Sequence, residues 1–167
     1  AVANRYSFSD ELLFRIKREE YNEKYIDHLI DQYKLYVQSH EKISERREGS
    51  NRFFLTLNSA VVGGIVALIN SSAEKSAIVI IIASSALAIC LFWRQALKSY
   101  SDLNTGKFKV IHAIERRLPL ALYESEWRVL GRGKDPELYK PISHLEAMIP
   151  WAFIVLYASI LIWKFLL

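Results

Sequence analysis

The chain has 167 residues, of which 51% are hydrophobic and 24% charged, and its formal charge is +4. The length suits one soluble domain, but three long stretches contain no charged residue: Phe53–Ala73, Ser76–Trp93 and Ala147–Trp163. This distribution excludes an ordinary soluble globular domain and a disordered chain. It predicts an all-α membrane protein with three transmembrane helices plus long cytoplasmic helices.

The first predicted segment, 1–52, is a cytoplasmic N-terminal helix. We expect one continuous helix over residues 10–50, because the range has no proline and no glycine before Gly49. Apolar and aromatic side chains recur along it at roughly heptad spacing: Ile26, Leu29, Tyr33, Tyr36, His40 and Ile43. This seam packs either against the second cytoplasmic segment of the same chain or against the same helix of a neighbouring subunit. No apolar stretch here is typical of a secretory signal peptide.

The next segment, 53–93, is predicted to be a transmembrane hairpin with spans at 53–70 and 76–93. Each span approaches the roughly 20 residues that a helix needs to cross a bilayer. Small and polar residues lie along one face of the first span, here called the polar stripe: Arg52, Thr56, Ser59, Gly63, Ala67 and Asn70. Such a face is costly in lipid unless something covers it. Either it packs against the second span, or copies of it surround an axis and form a pore or oligomer face.

Residues 94–146 form the predicted second cytoplasmic segment. The second span continues into it as one helix that Pro119 terminates, and a short amphipathic piece follows at Tyr123–Leu130. The loop 131–136 comes next, and its glycines and bases suggest an interaction site or a simple turn. The residues of that candidate cytoplasmic interaction loop are Gly131, Arg132, Gly133 and Lys134. The third transmembrane helix occupies 147–167.

The distribution of Lys and Arg predicts the orientation. Residues 1–52 and 94–146 each carry ten of the 22 basic residues, so both segments are expected in the cytoplasm and the C-terminus outside it. Three arginines at the span ends are candidate anchors to lipid headgroups: Arg46, Arg47 and Arg94. Four aromatic residues are expected near the membrane interfaces: Trp93, Trp151, Tyr157 and Trp163.

A search for chemistry finds few groups of suitable residues. Cys90 is the only cysteine, which we interpret as a small apolar filler. His112 and Glu115 lie one turn apart and are better explained as a helix-surface pair than as a metal site. The bases of 94–146 are mixed with acids, so nucleic-acid binding is not expected. We expect no cofactor, no metal and no enzymatic activity.

Three blocks of sequence resemble a known family. They are 42–58, which leads into the first span; Trp93-Arg94 with 108–119; and 126–136 with His144-Leu145-Glu146 and Pro150-Trp151. Together they resemble the RipA family of octameric bacterial membrane proteins. The order of elements is also similar to the SLATT class, whose members accompany defence systems and are thought to perforate membranes. The resemblance implies a homo-oligomer, an octamer, in the bacterial inner (cytoplasmic) membrane.

Two functions are therefore predicted from sequence. The first is a non-enzymatic, homo-oligomeric inner-membrane protein that forms a pore or gated vestibule in phage defence or stress response. The alternative is a membrane scaffold that recruits a soluble cytoplasmic partner through its cytoplasmic helices. In both, the partners are the lipid bilayer and further copies of the same chain.

Overall fold

The computed structural model describes residues 10–70, 76–139 and 142–166, and these residues contain helices and no strand. The prediction of an all-α membrane protein is thereby confirmed. The helices are α1 (Asp10–Leu13), α2 (Tyr25–Ile69), α3 (Ser76–Glu115), α4 (Leu122–Val129) and α5 (Ile142–Leu166). Short 3-10 turns lie at Arg18–Glu20 and Gly131–Gly133.

The prediction of one helix over 10–50 is wrong at its start. The chain leaves α1 after Leu13 and begins α2 only at Tyr25. Asn22 explains the late start, because its side-chain oxygen accepts the backbone N–H of Lys24 at 3.0 Å. An asparagine that bonds to the backbone two residues ahead favours a turn over a helix. From Tyr25 onward, α2 continues without a break through the first predicted span.

The predicted extension of the second span is confirmed. Helix α3 continues beyond the span to Glu115 and ends before Pro119. At 45 and 40 residues, α2 and α3 are about 68 and 60 Å long at 1.5 Å per residue. Both exceed the roughly 30 Å of a hydrocarbon core. Among the described residues, three helices are long and apolar enough to cross a membrane, namely α2, α3 and α5.

The chain divides into two compact units. We call Ala1–Ser44 with Leu103–Lys140 the polar unit, and Glu45–Asp102 with Pro141–Leu167 the spanning unit. The core of the spanning unit joins its three helices and consists of small and β-branched side chains with one tyrosine: Ile65, Val79, Ala83, Ala86, Cys90 and Tyr157. Small residues at these positions let the helix backbones approach closely.

The polar unit is built on the predicted seam of α2. His40 packs edge-on against Phe108 with ring centroids 4.6 Å apart. Lys107 donates to the Ser39 hydroxyl at 2.9 Å and lies over the ring of Tyr36. Phe108 and Lys107 belong to α3 and to the predicted second cytoplasmic segment, 94–146. The seam therefore packs against that segment of the same chain, as the first of the two sequence interpretations predicts.

Candidate functional site

The polar stripe of α2 is exposed along its whole length. Each of its six residues is solvent-accessible in the single chain: Arg52, Thr56, Ser59, Gly63, Ala67 and Asn70. The buried side of α2 lies roughly opposite and carries Asn58 and Ile65, each 1% exposed. The interpretation in which the stripe packs against the second span is therefore wrong, because that contact uses the other face of the helix.

Glycine makes this exposed face accessible to another helix. Apart from the adjacent residues and the backbone of α2 itself, no described atom lies within 4 Å of the position that a Cβ would occupy at Gly63 or at Gly64. In membranes, close helix–helix approach depends on such small residues, because lipid offers no hydrophobic gain from association. The middle of the stripe can thus receive a neighbouring helix at short range.

Three buried polar side chains join the spanning helices, and we call them the Asn58 cluster: Asn58, Cys90 and Tyr157. The Asn58 Oδ1 accepts hydrogen bonds from the Cys90 thiol and the Tyr157 hydroxyl, both at 3.1 Å. The Asn58 Nδ2 donates to the Phe54 carbonyl at 2.8 Å. One amide thereby links α2, α3 and α5 and leaves no amide atom without a partner.

The Asn58 cluster corrects two sequence interpretations. Cys90 is more than an apolar filler, since its thiol has a hydrogen-bond acceptor, and Tyr157 is fully buried instead of lying at a membrane interface. Trp93 is also fully buried, and its indole N–H donates to the Asn51 side chain at 3.1 Å. Trp151 and Trp163 remain about half exposed, as interfacial residues do.

A second buried cluster, here the Glu115 cluster, organises the polar unit: Tyr33, Glu115, Tyr123 and Glu124. The Glu115 carboxylate is 1% exposed and accepts the Tyr33 hydroxyl at 2.9 Å. It also accepts the backbone N–H groups of Tyr123 and Glu124 at 2.9 and 3.0 Å. These N–H groups belong to the first turn of α4, which has no side-chain cap of its own, so Glu115 caps α4 from another helix. Burial and the neighbouring Glu115 raise the pKa of Tyr33.

The predicted interaction loop is a tight turn. Gly131, Arg132 and Gly133 all have positive φ, between 55° and 65°, a region that glycine occupies freely. The N–H groups of Gly133 and Lys134 donate to backbone carbonyls within the turn. Of the two sequence interpretations, this arrangement favours the simple turn, because these backbone N–H groups already have acceptors. Arg132 and Lys134 remain exposed.

The three arginines expected to anchor headgroups have different surroundings. Arg46 is exposed, whereas Arg47 is partly buried and pairs with Glu146 at 2.9 Å. Arg94 is exposed and lies over the Trp151 ring, 4.6 Å from its centroid. Arg47 therefore contributes to contact between α2 and α5, and Arg94 keeps its charge at the surface.

No group of three potential metal ligands occurs within residues 10–70, 76–139 and 142–166. His112 pairs with Glu124 at 3.3 Å, while the Glu115 oxygens are occupied by the contacts of its cluster. Hydrogen bonding from Arg128 lowers the pKa of Glu124. These contacts explain the acidic and histidine side chains of this region as structural elements.

Comparison with known protein families gives a match over most of the chain. The model of a family described as the octameric membrane protein family matches residues 30–166. That range contains nearly all of α2 together with α3, α4 and α5. No curated protein and no solved structure matches the chain.

Proposed function

The chain belongs to the octameric membrane protein family (8xMP), and from this premise we propose that its subunits meet through the polar stripe and enclose a polar vestibule or pore. The family and the three apolar helices indicate a membrane protein that assembles from copies of itself. The polar stripe is the proposed surface of contact between subunits, and the enclosed vestibule or pore is its proposed purpose. No enzymatic step is proposed.

The exposure of the stripe is the observation that supports this proposal. Six small or polar residues, five of them on α2 and Asn70 directly after its end, lie open in the single chain, although lipid disfavours an uncovered polar face. A ring of subunits covers that face with neighbouring copies or with water. Because no Asp or Glu lies between Arg52 and Asn70, a pore lined by the stripe is nearly neutral within the membrane. The exposed Arg52, paired with Glu48 at 2.6 Å, lies at its mouth.

Leakage from liposomes tests the pore. Vesicles that contain the purified oligomer should release ions, which an enclosed fluorescent anion or potassium reporter detects. Thr56→Leu or Ser59→Leu should reduce this leak by at least tenfold. Ser159→Leu is the matched control, because Ser159 is exposed on α5 and lies outside the stripe. Intact oligomers that do not leak, or equal leakage in all variants, would contradict the proposal.

We propose an inner-membrane orientation with the polar unit in the cytoplasm, on the basis of the Lys and Arg bias. Cysteine labelling tests it simply, because the only natural cysteine, Cys90, is buried. A thiol introduced at the exposed Ser125 should react with an impermeant maleimide only after the inner membrane of spheroplasts is opened. A role in phage defence or stress is the setting that the SLATT-like layout suggests.

The alternative proposal, a scaffold for a soluble partner, is supported by apolar side chains exposed on the polar unit. Trp127, Val129 and Leu138 lie on or near α4 and are 36%, 77% and 60% exposed. A partner bound there should co-purify with the wild type and be lost with Val129→Ser and Leu138→Ser. A variant that loses leakage but keeps the partner, or loses the partner but keeps leakage, distinguishes the pore function from the scaffold function.

A further inference from the structure

A groove of about 330 Å³ opens between α3 and α5 within the spanning unit. Its wall on α3 changes from apolar to polar along one helix face, from Leu91 through Arg94 and Lys98 to Asp102. Those positions span about 16 Å at 1.5 Å per residue. Helix α5 contributes Trp151, whose indole is about half exposed. The groove thus begins among apolar residues and ends among charged residues.

The two cations of the groove have no acidic partner. Among the described residues, no carboxylate pairs with Arg94 or Lys98, whereas Arg47 pairs with Glu146 and Arg52 with Glu48. The Arg94 guanidinium lies over the Trp151 ring, a contact that holds its position, and none of the described side chains accepts a hydrogen bond from its N–H groups. The groove thus carries two cations, four residues apart on one helix, that pair with no described carboxylate.

We propose that this groove binds the headgroup of an anionic phospholipid. The phosphate contacts Arg94 and Lys98, and an acyl chain lies along Leu91 and Trp151. With Asp102 included, the groove carries one net positive charge, which matches a singly charged phosphodiester. Asp102 accepts a hydrogen bond from a headgroup hydroxyl. The apolar-to-polar order along α3 is the order in which a phospholipid presents its chain and its phosphate.

The site predicts saturable lipid binding with a preference for negative charge. Native mass spectrometry of the purified oligomer, titrated with phosphatidylglycerol or phosphatidylcholine, counts bound lipids per subunit. We expect one phosphatidylglycerol per subunit, bound at least tenfold more tightly than phosphatidylcholine. Arg94→Gln with Lys98→Gln should weaken binding about 25-fold, or about fivefold for each cation, which is the usual size of one basic residue's attraction to an anionic surface.

The matched control removes the same charge elsewhere. Lys34 and Lys42 are likewise two exposed bases on one helix, α2, outside the groove. Lys34→Gln with Lys42→Gln should change phosphatidylglycerol binding by less than twofold. Equal losses in the two double variants would overturn the site in favour of general surface attraction. Because all four side chains are exposed, both double variants should keep the wild-type oligomer mass.

A further arm separates a lipid from a soluble anion. Inorganic phosphate at 10 mM, about tenfold above a typical weak millimolar site, should not displace the phospholipid, because it lacks the acyl contacts with Leu91 and Trp151. Displacement by phosphate, or the absence of any preference between the two lipids, would overturn the proposal. Trp151→Leu should weaken phosphatidylglycerol binding by about threefold through loss of the stack on Arg94.

Discussion

The polar unit and the spanning unit are each organised by one buried polar residue, but the two residues differ in charge. In the polar unit, the carboxylate of Glu115 accepts three hydrogen bonds, two of them from the first turn of α4. In the spanning unit, the neutral amide of Asn58 both donates and accepts, and it contacts two other helices. Both residues are 1% exposed.

The difference reflects what each environment allows. A buried carboxylate is stable only when several donors replace its water, and the open N–H groups at a helix start supply such donors. Within a bilayer, helices satisfy their own backbone N–H groups, so few donors are free for a charge. An amide carries its own donor and acceptor and suits that environment. The comparison predicts that the charged cluster contributes more stability than the neutral one.

The largest expected effect is at Glu115. Glu115→Ala removes the acceptor of three hydrogen bonds and leaves the first turn of α4 uncapped, so it should destabilise the polar unit by about 3 kcal/mol. Hydrogen exchange of residues 122–129 measures this locally. Glu126→Ala, exposed on the same helix, should leave the exchange unchanged. Unaltered protection of α4 in Glu115→Ala would contradict the capping role.

A smaller loss is expected at Asn58. Asn58→Leu keeps the volume but removes the acceptor of the Cys90 thiol and the Tyr157 hydroxyl. Hydrogen bonds between membrane helices contribute about 0.6 kcal/mol each on average, so the free energy of unfolding in detergent should fall by about 1–2 kcal/mol. Titration with a denaturing detergent measures it, with Ser159→Leu as control. A loss as large as that of Glu115→Ala would refute the proposed order of the two clusters.

Two tyrosine hydroxyls allow a direct comparison of single hydrogen bonds. Tyr33→Phe deletes a bond to a carboxylate, for which about 1.5 kcal/mol or more is expected. Tyr157→Phe deletes one donor, which the backbone and side-chain oxygens of Asn58 share at 3.2 and 3.1 Å, and should lose about 0.6 kcal/mol. Each variant removes one oxygen and leaves the ring in place. Denaturation followed separately in the two units should show the larger loss for Tyr33→Phe, and a reversed order would show that charge does not determine the difference.

Local sequence pattern predicted the helices well and the two clusters poorly. The end of α3 before Pro119 and the position of α4 follow from proline and amphipathic spacing. Glu115 looked like a surface partner of His112, and Asn58 is distinguished in the sequence only by its place directly before Ser59 of the polar stripe. Their true partners, Tyr33 and Tyr157, are 82 and 99 residues away in the chain, and helical periodicity carries no information on such distant pairs. The late start of α2 depends on one Asn22 side chain.

The smallest expected effect is a pH dependence of folding stability, which we expect in the polar unit and not around the Asn58 cluster. His40 lies against Phe108 in the polar unit, and its Nε2 is buried without a hydrogen-bond partner among the described residues. Burial, followed by the charge of Lys107, lowers the pKa of His40, and Glu41 opposes them. A histidine with a lowered pKa stays neutral in the folded protein while the unfolded chain takes up a proton, so folding stability falls as pH drops below the ordinary value near 6.5.

Unfolding of the polar unit should therefore become easier between pH 7.5 and 5.5, and His40→Leu should flatten that dependence. Hydrogen exchange of α2 residues 33–43, corrected for its intrinsic pH dependence, measures the change. Glu124 does not interfere, because its pKa is lowered from an ordinary value near 4.5 and its contribution is lost only at more acidic pH. The Asn58 cluster has no group that titrates in this window, so hydrogen exchange of α3 residues 79–90, which surround it, should show no matching change. If hydrogen exchange of residues 33–43 depends equally on pH in wild type and His40→Leu, another group causes the pH response.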